Sequence, residues 1–104
     1  RAMEMLVTGN NIKAEQAERW GLANHVYPAA ELMEEALKLA RTISSKGPLA
    51  VGMAKQLVQH GQDIDLEVAC AMESQAFGLA FSTKDQKEGM AAFVEKRKAE
   101  FAGQ

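Results

Sequence analysis

Between Glu31 and Phe81 apolar residues return every three or four positions, interrupted at Gly47-Pro48 and Gly61. That spacing keeps one face of a 3.6-residue helix apolar, so this stretch is constrained to successive amphipathic helices. The first covers 31–46, with Leu32, Ala36, Leu37, Ala40 and Ile43 on one stripe. Glu34 precedes Lys38 by four residues, the favoured order for an ion pair along a helix. Gly47 stops this helix and Pro48 starts the next, because glycine suits a helix C-terminus and proline's fixed φ suits the first helical position. The second helix carries Val51, Ala54, Leu57 and Val58 and stops at Gly61. The third takes Asp63 or Asp65 as its cap and runs through Leu66, Ala69, Met72, Ala76, Phe77 and Ala80.

The flanking segments follow the same grammar. Ala2, Met5 and Leu6 share one helical face, and Gly9 fits the left-handed position that ends a helix. A short helix is expected over 14–20, with Ala17 and Trp20 turned inward and Gly21 closing it. Residues 22–27 are the one place for a strand, since Val26 and Tyr27 favour extended backbone and Pro28 ends it. At the other end, Ser82 to Phe101 opens with a capping box. Thr83 can accept from the backbone N–H of Gln86, whose side chain can reach back. Asp85 sits in the first turn, where the helix dipole favours negative charge. Met90, Phe93, Val94 and Phe101 form an apolar face, and Lys96-Arg97-Lys98 bring positive charge to the end. Gly89 costs about 1 kcal/mol relative to alanine inside a helix. Its expected use is to let another backbone or a ligand come close. With no repeat, low-complexity segment or long linker, the reading is a single all-α unit over 1–104.

Composition narrows the partners. A net charge of −2 gives no general attraction to nucleic acid or to an anionic membrane. The one basic cluster lies between Glu95 and Glu100 and reads as a solvated face. Apolar residues make up 47% of the chain, enough to allow a core. No run of ~18 apolar residues occurs, so no spanning helix is expected. Cys70 is the only cysteine, which rules out an intramolecular disulfide. With no signal peptide in this stretch, that fits a reducing, cytoplasmic compartment. Cys70 is expected to pack against apolar neighbours rather than to act as a nucleophile, and Met53, Met72 and Met90 to fill the core. His25 and His60 are isolated, so no metal site is expected. The chain opens at Arg1 already in helical pattern and without a capping residue, which reads as a piece whose N-terminal part lies elsewhere.

Four motifs stand in a fixed order along the chain. They are Thr8-Gly9-x-x-Ile12-x-Ala14-x-x-Ala17, then Gly21-Leu22-x-Asn24-x-Val26, then Gly47-Pro48-Leu49-Ala50, and last Glu88-Gly89-Met90-x-Ala92-Phe93-x-Glu95-Lys96-Arg97. Together they resemble the C-terminal part of the crotonase (enoyl-CoA hydratase) superfamily over essentially the whole chain, and short-chain enoyl-CoA hydratases above all. The resemblance implies the C-terminal helical region of an α/β spiral fold. It would supply subunit packing and one wall of a coenzyme A site in a trimer or hexamer. One departure is Lys13, where family members place Ser, Thr or Asp; losing that cap weakens the helix start by about 1 kcal/mol.

The implied reaction adds water across the double bond of a 2-enoyl-CoA, in fatty acid or related acyl-CoA metabolism. Two glutamates act as general acid and base, and two backbone N–H groups stabilise the enolate oxygen. The resemblance places these outside this chain, so no catalytic residue is assigned here and the isolated chain is expected to be inactive. The substrate is a CoA thioester, with no tightly bound cofactor. Within the chain the resemblance gives Phe77 the adenine and Lys96 the 3′-phosphate of coenzyme A. Read from the residues alone, Phe77 fits core packing and Lys96 a free surface charge. A rival reading of the whole is a stand-alone, non-catalytic helical interaction module.

Overall fold

The computed structural model describes residues 1–104, and every regular element in it is a helix. In order these are α1 (Ala2–Thr8), α2 (Ala14–Arg19), α3 (Leu32–Ser44), α4 (Pro48–Gly61), α5 (Leu66–Phe81) and α6 (Lys84–Glu95). The chain divides into two units, Arg1–Leu37 and Lys38–Gln104, with the boundary inside α3.

In the first unit the glycines do what their positions require. Gly9 ends α1 at φ 65, with its N–H on Met5 O. Gly21 ends α2 at φ 76, where Gly21 N–H donates to Glu18 O and Leu22 N–H to Ala17 O. Those two bonds make the Schellman closure, which satisfies carbonyls left over at a helix end. Lys13 makes no side-chain cap bond to α2, as its chemistry requires. Ala17 and Trp20 are half-buried rather than enclosed, and Arg1 lies over the Trp20 ring at 5.1 Å.

The strand expected over 22–27 is absent. A strand is stabilised by a partner's ladder, and none is present. The Val26 N–H that would have joined a ladder donates instead to Glu18 Oε1 at 3.2 Å.

In the second unit the caps follow the sequence closely. Pro48 occupies the first turn of α4 after Gly47. Asp65, not Asp63, caps α5, accepting from Glu67 N–H at 2.8 Å. Thr83 Oγ1 accepts from Gln86 N–H at 3.1 Å. The box is only half made, because Thr83 N–H donates to Ala80 O. α4 packs on α5, and α5 on α6.

The apolar stripes are the main departure. Only Ala92 and Asp85 are buried. Leu32, Leu37 and Ile43 on α3, Val58 on α4, Phe77 and Leu79 on α5, and Met90, Phe93 and Val94 on α6 are all exposed. Cys70 and Met72 are exposed as well, and Met53 is half-buried. The periodicity is real, but this chain holds too few elements to cover its own stripes.

α6 is also shorter than its sequence pattern. It ends at Glu95, and residues 96–104 turn back along it. Phe101 therefore belongs to the returning tail, not to the helix. A Cβ at Gly89 would lie 3.4 Å from Phe101 Cε1, so the close approach this glycine permits is that of the chain's own aromatic ring.

Candidate functional site

α4 and α5 pack against each other, and small residues line the groove between them. Ala50 and Ala54 on α4 meet Ala76 and Ala80 on α5, and with Met53 and Leu57 they line a shallow apolar groove of about 180 Å³. Phe77 lines it too and is 64% exposed in this chain. Phe81, one turn on, holds it at a centroid distance of 4.6 Å and 37°. A supported aromatic face open to solvent can take a flat apolar or heteroaromatic group. A neighbouring depression of about 310 Å³ between the same two helices is lined by Met53, Leu57, His60, Met72, Gln75 and Leu79, among others.

The second predicted residue, Lys96, caps α6. Its backbone is left-handed, φ 55 and ψ 37, and it is exposed. The basic run around it is exposed at all three residues, as the solvated-face reading expected, but Arg97 is paired as well. Arg97 grips Glu88 with both terminal nitrogens, Nη1 to Oε1 at 2.6 Å and Nη2 to Oε2 at 2.9 Å. Its Nε donates to Glu95 Oε2 at 2.6 Å. Such two-pronged pairing fits the planar guanidinium to a carboxylate. Glu88 Oε1 also accepts from Glu100 N–H at 2.9 Å. The Arg97 bonds, followed by the Glu100 N–H, lower the Glu88 carboxyl from 4.5 to about 2. The Glu88 carboxylate, followed by that of Glu95, raises the Arg97 guanidinium above its ordinary value. Glu88 is therefore ionised throughout the neutral range and is no proton carrier there.

The tail is anchored a second time at the start of α6. Asp85 Oδ1 accepts from Ala102 N–H at 2.7 Å and Oδ2 from Gly103 N–H at 2.9 Å. In return, Asp85 N–H donates to Gln104 O. The sequence reading placed Asp85 correctly in the first turn but missed this work. Periodicity carries no signal for it, because its partners lie 17 and 18 residues on.

Phe77 and Lys96 thus stand on separate elements, the groove lining and the α6 cap, with no hydrogen bond or cation–π contact joining them. No group of three or more His, Cys, Asp or Glu is placed to hold a metal ion, and no helix is long and apolar enough to cross a membrane.

The chain belongs to the enoyl-CoA hydratase/isomerase family, whose model matches residues 1–104. It is 48% identical over 99 residues to the short-chain-enoyl-CoA hydratase of Clostridium acetobutylicum, covering 95% of this chain and 38% of that protein. A crotonyl-CoA hydratase of Syntrophomonas wolfei is also 48% identical, over 100 residues, with 96% and 38% covered. Among solved structures, an enoyl-CoA hydratase from Bacillus anthracis matches with a TM-score of 0.97 at 40% identity, over 100% of this chain and 40% of that one. The chain spans about two fifths of the length of these relatives.

Proposed function

We propose that this chain is the C-terminal helical region of an enoyl-CoA hydratase that adds water across the double bond of a short 2-enoyl-CoA. The observation that carries this reading is the fold likeness to a hydratase at a TM-score of 0.97 over the whole chain. The names of two relatives at 48% identity, short-chain-enoyl-CoA and crotonyl-CoA hydratase, support the substrate class. Residues 1–104 would serve subunit packing and the nucleotide end of the substrate. The chemistry at the acyl end would fall to the part of the relatives that this chain does not match. The carboxylates best placed in this chain, Asp85 and Glu88, are both engaged with the tail, which agrees with that division.

Phe77 offers its exposed ring to the adenine, and stacking of a base on an aromatic is worth about 1–3 kcal/mol. Lys96 offers an unpaired ammonium to the 3′-phosphate, worth roughly 1 kcal/mol at an exposed, salt-screened site. The open stripes of α4 and α5 are faces for homo-oligomer contacts in a trimer or hexamer. The single, unpaired Cys70 fits a reducing compartment such as the cytoplasm.

The test is kinetic, on the protein expressed from its complete gene. It should hydrate crotonyl-CoA, while residues 1–104 alone should not. Lys96→Ala should raise KM several-fold and leave kcat nearly unchanged, since the contact is remote from the reacting carbons. That effect should disappear on a 3′-dephospho-CoA substrate. Phe77→Ala should weaken both substrates alike without lowering the melting temperature. Equal losses on both substrates for Lys96→Ala would remove the phosphate contact from this reading.

A further inference from the structure

Three helices of this chain end on a left-handed residue: α1 at Gly9, α2 at Gly21 and α6 at Lys96. Two of the three use glycine, the residue that enters this conformation without crowding a Cβ against its own carbonyl. Lys96 is the only non-glycine residue in the chain with positive φ.

The backbone gives no reason for the lysine. α6 closes with the same pair of bonds as α2. Arg97 N–H donates to Ala92 O and Lys96 N–H to Phe93 O, as Leu22 N–H does to Ala17 O and Gly21 N–H to Glu18 O. Glycine would complete this motif at position 96 as it does at 21, with less crowding. What lysine adds is its side chain, which makes no hydrogen bond or ion pair of its own.

A crowded residue persists where its surroundings over-determine it, and here they do. Glu95 and Arg97, immediately before and after Lys96, are tied to each other through Arg97 Nε. Arg97 is tied by its fork to Glu88 on the preceding turns of α6, and the same Glu88 oxygen holds the Glu100 N–H of the returning tail. The chain is pinned on both sides of position 96. These bonds also occupy the Arg97 guanidinium, leaving the Lys96 ammonium, like that of Lys98, without a partner; of the two, only Lys96 stands on the left-handed step.

We propose that Glu88 and Arg97 are positioning residues: their clasp fixes the left-handed step at Lys96 so that its ammonium is held out to a nucleotide phosphate monoester. This rests on the reading of Lys96 as the phosphate contact. It goes further by assigning the acidic Glu88 a role in binding an anion.

That assignment has a diagnostic sign. Removing a negative charge beside a phosphate should, by Coulomb's law alone, tighten anion binding. Positioning requires the opposite.

The experiment measures dissociation constants for coenzyme A and 3′-dephospho-coenzyme A with the protein expressed from its complete gene. The variants are Glu88→Gln, Arg97→Lys, Lys96→Ala, Lys96→Gly and the double variant Glu88→Gln/Lys96→Ala. Glu88→Gln and Arg97→Lys, which keep size and cationic charge respectively, should each weaken coenzyme A several-fold and leave the dephospho form unchanged. In the Lys96→Ala background Glu88→Gln should cause no further loss. Lys96→Gly should raise the melting temperature while abolishing the preference for the phosphorylated ligand.

Tighter or unchanged coenzyme A binding by Glu88→Gln would overturn the positioning role, and so would equal weakening of both ligands. If Lys96→Ala itself fails to alter the preference between the two ligands, the phosphate contact falls, and this inference falls with it. A preference lost in Lys96→Ala but kept in Glu88→Gln and Arg97→Lys would overturn the inference alone.

Discussion

α6 with its returning tail and the α4–α5 pair solve the same problem in opposite ways. The first region closes its backbone and carboxylate groups on itself, although Phe93 and Val94 stay more than 70% exposed. Its two buried residues, Asp85 and Ala92, are the only two in the chain, and Asp85, Glu88, Glu95 and Arg97 find partners within it. The second region packs helix on helix through alanines yet leaves Val58, Phe77 and Leu79 each about 60% exposed or more. Polar closure can be completed locally, because a few directional bonds satisfy the groups involved. Apolar closure needs area, and two helices cannot cover each other's outer faces. Large exposed apolar patches on a single chain mark surfaces for protein, membrane or ligand contact.

The largest effect is expected from breaking the polar region at Asp85. Asp85→Ala leaves the Ala102 and Gly103 N–H groups without their acceptor, and should cost about 2–4 kcal/mol given that the acceptor is a buried carboxylate. Denaturant unfolding would measure the loss, and amide exchange at Ala102 and Gly103 should accelerate together. Retained protection at those two amides would show that the tail is held by other means.

Gly103→Ala attacks the same closure sterically. Gly103 has φ 74, and a Cβ there would meet Pro48 Cγ at 3.1 Å. A cost of about 1–2 kcal/mol is expected from the left-handed backbone alone, read as a shift in the unfolding midpoint.

A weaker, pH-dependent loosening should follow from Glu88. Its folded carboxyl is depressed to about 2 from an ordinary 4.5. A depressed carboxyl contributes stability that is present above its unfolded value and lost as pH falls through the folded one. The protection of the Glu100 amide should therefore hold above about pH 4.5 and decline toward pH 2. Glu88→Gln should remove that dependence, and a dependence surviving the substitution would place its origin elsewhere.

The smallest effect on folding, and the sharpest contrast, belongs to the apolar region. Leu79→Lys replaces a residue that is 59% exposed and should change the stability of the isolated chain by no more than about 0.5 kcal/mol. The same change should reduce self-association measured by light scattering. A large stability loss without a change in association would mean that the stripe is already covered within the chain.

The helices were legible in the sequence because their signals act over one turn. Gly47-Pro48 set the stop and start between α3 and α4, Asp65 and Thr83 supplied the side-chain caps of α5 and α6, and Gly9 and Gly21 took the left-handed ends. The order of the four motifs was legible too, and the family match over residues 1–104 agrees with it. Of the site, the sequence named Phe77 and Lys96 through resemblance, while the residues themselves favoured core packing for Phe77 and a free surface charge for Lys96. Phe77 is exposed within this chain, beside a groove lined largely by alanines.

What only the tertiary structure decided depends on contacts far apart along the chain. Arg97, still exposed, pairs with Glu88, and Asp85 turns from a dipole partner into the anchor of residues 102 and 103. The bonds responsible join residues 9 to 18 positions apart, beyond the reach of a three- or four-residue period. The strand expected at 22–27 failed for the same reason, since extended propensity is local but a ladder needs a partner. Local preference settles where a helix begins and ends. Which stripe is covered, and which lysine is held out to solvent, is settled only by what the rest of the chain brings alongside.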